Sequence, residues 1–123
     1  AKPADATIRL ALGVADQQSN RWNDAFKHFR AWTAQDDKAG VAWYQIGRTS
    51  VLSGQLLDEG LAALKKYLSM PHTTNEPQNK NAYYRMGQLY VKSGKKPEAK
   101  LAFQSALKLD PNFKEVKVEL AKL

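Results

Sequence analysis

The sequence predicts an all-α fold, and three observations predict it. Apolar residues recur at helical spacing in every long segment, with no sustained period-2 alternation and so no expected sheet. Gly13, Gly47 and Gly87 each follow a large apolar residue (Leu12, Ile46, Met86) and recur at intervals of 34 and 40 residues. Each is followed by a small–large pair, Ala25 and Phe29, Gly60 and Leu64, Ala99 and Phe103, at intervals of 35 and 39 for the large member. Helix-ending residues fall between the runs.

The first helix is expected over 5–18, with Ile8, Leu12 and Ala15 on one packing face and Ser19-Asn20 as its stop. A second over 22–35 ends at Gln35-Asp36-Asp37. The third, 40–53, carries Ala42, Ile46 and, less closely, Leu52 on one face, and stops at Ser53-Gly54. The fourth, 57–69, opens on Asp58-Glu59, where the helix dipole favours acid, and ends at Met70-Pro71. Polar, proline-bounded residues 72–78 form the one long connection, expected on the surface. The fifth, 79–93, aligns Tyr83, Met86, Gly87 and Tyr90 and stops at Ser93-Gly94; the sixth, 96–109, stops at Asp110-Pro111. A last helix over 112–122 sets Phe113, Val116 and Leu120 on one face, leaving Lys114, Lys117, Glu119 and Lys122 elsewhere, as a cap with one wet side would.

At 123 residues with 43% hydrophobic content and twelve aromatics, one domain with its own core is expected. The lack of cysteine excludes disulfides, thiolate metal sites and a cysteine nucleophile, and leaves the compartment, cytoplasmic or periplasmic, open. No run approaches the roughly 18 apolar residues of a membrane span. The opening Ala-Lys-Pro-Ala-Asp, without Met, reads as a cut domain of a larger chain or a tag-cleaved chain ahead of a mature one. The net charge of +7 is uneven: residues 1–79 hold nine basic and eight acidic groups, residues 80–123 ten and four. Nine of those ten are lysine, which fits a solvated face better than bidentate phosphate recognition, so nucleic acid is not the expected partner.

The third unit, Tyr83, Met86, Gly87, Tyr90, Ala99, Phe103, Ala106 and Pro111, resembles the tetratricopeptide repeat pattern W-x2-L-G-x2-Y, A-x3-F, P. The second matches at Trp43, Ile46, Gly47 and Pro71, with Ser50 in place of an aromatic and Gly60 one residue late; the first keeps Leu12, Gly13, Ala25 and Phe29 but has Arg9 and Asp16 for its aromatics and no proline. The resemblance implies a right-handed superhelix of three helix-turn-helix hairpins, about 5–38, 39–71 and 79–111, closed by the 112–122 helix. Small residues at Gly13 and Ala25, Gly47 and Gly60, Gly87 and Ala99 are expected to face each other where the helices of a hairpin cross.

Nothing points to catalysis. His28 and His72 lack partners at ligand spacing, Asp36-Asp37 and Asp58-Glu59 sit at helix ends, and no glycine-rich phosphate loop occurs; no catalytic, metal or cofactor site is expected. Binding is the better expectation. The resemblance implies a concave groove lined by the first helix of each hairpin: Thr7, Leu10, Val14, Gln17 and Gln18; Val41, Tyr44, Gln45, Arg48 and Leu52; Asn81, Tyr84, Arg85, Gln88 and Lys92. Its expected centre is Tyr44, Gln45, Arg48, Tyr84, Arg85, Gln88 and Lys92, with Tyr44 and Tyr84 either anchoring a peptide or completing packing between repeats. The favoured ligand is then a protein segment with acidic and apolar residues. The family's clamp for chaperone carboxylate tails maps onto Leu10, Val14, Gln45, Asn81 and Arg85; only Arg85 keeps the required type, so that ligand is not expected. A partner-binding scaffold, a self-association module (monomer to weak dimer) and an accessory domain fused to an enzyme remain the function classes.

Overall fold

A computed structural model describes residues 3–123. Seven helices follow in order: α1 (Pro3–Gln18), α2 (Trp22–Gln35), α3 (Gly40–Ser53), α4 (Leu57–Leu68), α5 (Asn79–Lys92), α6 (Lys96–Leu109) and α7 (Lys114–Ala121). Among the described residues there is no strand. The helices pair as α1/α2, α3/α4 and α5/α6; each pair packs on the next through α2 on α3 and α4 on α5, and α7 lies against α6. The stops act as expected: Asn20, Gly54 and Gly94 have φ of 59°, 69° and 75°, the left-handed conformation that closes a helix at low steric cost for Gly and Asn. Leu56, φ 52°, is a left-handed residue that composition does not predict; its carbonyl accepts from the Ser50 hydroxyl at 3.0 Å and from the Gly60 amide at 2.9 Å.

The core runs through the array without a break. Phe26, Phe29, Trp32, Ala42 and Ile46 form its first part, Leu61, Leu64, Tyr67, Met86 and Leu89 its second, and Ala99, Phe103, Ala106 and Val116 its third. Trp43 packs on the first and second, Tyr83 and Tyr90 on the second and third, so each hairpin buries its apolar face on its neighbour. Phe113 and Leu120 join Val116 against α6, the face expected of the last helix. Between hairpins, the Arg30 guanidinium grips the Glu59 carboxylate at 2.6 and 2.7 Å.

Two expectations are corrected. The small residues do not face each other: a Cβ at Gly13, Gly47 or Gly87 would fall within 3.0 Å of Phe29, Leu64 or Phe103 respectively, and one at Gly60 would strike Ser50. The glycine thus receives the large residue of the partner helix, a large-on-small fit that fills the crossing better than small on small. The second correction concerns α1. Ile8 and Leu12 are 57% and 49% exposed and Ala15 is exposed, while Gly13, Asp16 and Gln17 are buried. The polar residues look inward because they are partnered: Asp16 accepts from Arg21 Nε at 3.1 Å and lies 2.6 Å from His28 Nδ1.

Candidate functional site

The first helices α1, α3 and α5 lie side by side, α3 touching both of the others. Gln17 joins the first two. Its Nε2 donates to Gln45 Oε1 at 3.0 Å and to Thr49 Oγ1 at 2.9 Å, and its Oε1 accepts from Arg48 Nη1. Thr49 Oγ1 donates in turn to the Gln45 carbonyl at 2.6 Å. The Gln17 amide is thereby used on both sides, which holds Arg48 beside α1.

Arg85 stands on α5. Its Nη1 donates to Gln88 Oε1 at 3.3 Å, its Cζ lies 5.6 Å from the Tyr84 ring centroid, and its Nε is buried without a hydrogen-bond partner. The two arginines feel each other: the Arg48 pKa is held below its ordinary value, first by burial and then by the positive charge of Arg85. Among the described residues neither guanidinium makes an ion pair with a carboxylate. The geometry therefore brings two part-buried cations, one with an unused N–H, within reach of each other's charge.

Other residues of the expected site are placed differently. Tyr44 is 6% exposed and packs on Tyr67, ring centroids 5.4 Å apart, and Gln45 is buried in the Gln17 network; neither presents a free side chain to a ligand. Tyr84 is half-buried against Phe113 and Phe103, at 5.2 and 6.3 Å, and burial raises its phenol pKa. Tyr44 thus completes packing between repeats, and Tyr84 packs in part on α6 and the turn before α7. Gln88 is half-buried and Lys92 exposed. Gln17 and Thr49, the residues that orient Arg48, are missing from the centre expected from sequence; a glutamine and a threonine at repeat positions otherwise filled by apolar groups were the available signal. His28 is spent on Asp16, and among the described residues no group of three or more His, Cys, Asp or Glu is placed to hold a metal ion. No described helix is long and apolar enough to cross a membrane.

Residues 81–113, covering α5, α6 and the turn beyond, match the family model of the tetratricopeptide repeat. The seven helices fit hairpins of that repeat, whose family consists of protein–protein interaction scaffolds and is generally non-catalytic. The chain is also similar to the general transcriptional corepressor ssn6 of Schizosaccharomyces pombe (strain 972 / ATCC 24843), 26% identical over 114 residues, which are 93% of this chain and 10% of that protein. The chain thus spans about a tenth of the length of this relative.

Proposed function

We propose that the chain is a non-catalytic binding module that holds an acidic, partly apolar protein segment across α3 and α5, with Arg48 and Arg85 as its anchors. One observation carries the reading: two neighbouring, part-buried guanidiniums without a carboxylate partner, one with an unused buried N–H. A charged group kept part-buried and unpaired is destabilising unless something pairs it, and a ligand carboxylate does so. Half-buried Val14 and the exposed Leu52 offer apolar contact near the arginines. Arg48 and Arg85 sit on separate helices, so an extended segment meets both.

The test is binding of a fluorescently labelled peptide alternating Glu and Leu. Arg48→Ala with Arg85→Ala should weaken it at least about thirtyfold, the scale of losing a buried arginine anchor. Lys114→Ala with Lys117→Ala, on α7, should matter little. Loss with the lysine pair and not with the arginine pair assigns binding to the basic C-terminal face and overturns the reading.

A further inference from the structure

The hydrogen-bond chain that ties α1 to α3 runs in one direction only. Thr49 has a single hydroxyl hydrogen, and it goes to the Gln45 carbonyl at 2.6 Å. Towards Gln17 its oxygen can therefore only accept, so the Gln17 atom 2.9 Å away is the amide nitrogen Nε2. Oε1 is thereby turned to Arg48, a side chain with donors and no acceptor, and takes a hydrogen from Nη1. A reversed amide would set oxygen against oxygen at Thr49 and N–H against N–H at Arg48. Gln17 and Thr49 are 3% and 0% exposed, so no solvent is at hand to repair that reversal.

Position 17 is also where a charge is withheld. Helices α3 and α5 contain no acidic residue, and α1 contains two, Asp5 and Asp16. Asp16, beside Gln17 in sequence, is committed within the first hairpin, to Arg21 through one oxygen and His28 through the other. Gln17 reaches the other way, to α3. The acid thus serves the first hairpin, and a neutral amide serves its junction with the second. We propose that Gln17 is a specificity-determining residue of the groove: as a neutral acceptor it holds the Arg48 guanidinium in place without consuming its charge, which stays available to an acidic segment of a partner protein. This rests on the reading of Arg48 and Arg85 as the anchors. Gln17 occupies Nη1 alone, and a guanidinium already oriented loses less side-chain freedom when the ligand arrives. A glutamate at position 17 would reach Arg48 equally well, pair with it from inside the protein and close it to a ligand carboxylate. A methionine there would neither orient nor neutralise it.

The peptide alternating Glu and Leu tests this, with the fold of each variant checked by far-UV circular dichroism. Gln17→Glu should weaken binding at least about tenfold, and Gln17→Met by less, about threefold. In an Arg48→Met background, which has no guanidinium to orient or pair, Gln17→Glu should change binding by less than about twofold. A purely structural role for Gln17 would make the methionine and glutamate variants equally weak, and their losses would persist without Arg48; either result overturns the proposal. So does a Gln17→Glu protein that binds as tightly as the parent while Arg48→Ala with Arg85→Ala abolishes binding, which leaves the anchors standing and removes Gln17 alone. A double arginine variant that binds like the parent fells the reading of the anchors and the proposal with it. If the buried carboxylate prevents folding, Thr49→Val decides. It removes the oxygen that fixes the Gln17 amide and alters no charge, so binding should weaken about threefold, and unchanged binding overturns the proposal.

Discussion

Gly87 of α5 lies directly beneath the ring of Phe103 on α6, close enough that a Cβ there would fall within 3.0 Å of three ring carbons. Phe103 is fully buried, so the ring has no solvent to retreat into. Gly87→Ala must therefore spread α5 from α6 or force Phe103 off its rotamer. A loss of about 1–3 kcal/mol is expected, despite the better helix propensity of alanine. Chemical denaturation measures it, and Phe103→Leu in the same chain should recover part of the loss. A Gly87→Ala protein as stable as the parent would refute the crossing.

That contact shows what a one-dimensional pattern carries. Helix ends were legible because Asn20, Gly54, Gly94 and the two prolines at 71 and 111 act locally, on their own backbone. Which residue meets which across a hairpin depends on the crossing of two helices, and there the sequence pairs Gly87 with Ala99 while the structure seats Phe103 on it. The face of α1 was misread for a related reason. Period alone assigns Ile8 and Leu12 inward, but Asp16 and Gln17 have polar partners on α2 and α3 that no local pattern reveals. Of the expected binding centre, Arg48 and Arg85 are near enough for the charge of one to act on the other, whereas Tyr44 is taken up by Tyr67, a residue 23 positions away.

The connection after α4 is fastened by a single phenol. Tyr67 donates to the Pro77 carbonyl at 2.6 Å, and His72 stacks on its ring with centroids 3.8 Å apart. Burial, then the charge of Glu76, pushes the phenol pKa far up, so the donor stays protonated through the working range. Tyr67→Phe keeps the stack and removes the donor. It should cost about 1–2 kcal/mol and speed amide exchange in residues 72–78, leaving α1 and α2 unchanged. Exchange mass spectrometry decides, and protection unaltered in 72–78 would count against the clasp.

Asp110 ties the α6–α7 turn to the start of α5. Its Oδ2 accepts from Lys80 Nζ at 2.9 Å and its Oδ1 from the Asn112 amide at 3.1 Å. Chiefly the Lys80 hydrogen bond, then the Asn112 amide, lowers its pKa from 3.8. A carboxylate whose folded pKa is depressed stabilises the fold fully above its unfolded value and loses that contribution as pH falls through the folded value. The stability gap between parent and Asp110→Asn should accordingly be constant above about pH 5 and shrink below about pH 4. A gap that persists unchanged into acid would mean that the carboxylate's charge is irrelevant.

In the proposed binding role, Arg48 and Arg85 set stability against binding. Each burdens the other in the free protein, since the second cause of the lowered Arg48 pKa is the Arg85 charge. Arg85→Gln removes that repulsion and the buried N–H without a partner. It gives up only a 3.3 Å bond to Gln88 and a contact with the Tyr84 ring. Solvent screens a half-exposed pair, so the free variant should be at most a few tenths of a kcal/mol more stable at low salt. That difference should fade as salt shortens the Debye length from about 30 Å at 0.01 M to about 10 Å at 0.1 M. The same variant should bind the Glu–Leu peptide at least about tenfold more weakly, because the glutamine offers no charge and no bidentate fork. Thermal melts across a salt series, paired with peptide titrations, read both effects on one protein. A variant that is less stable at low salt and binds as tightly as the parent would show that Arg85 serves packing, and the arginine pair would no longer mark the binding face.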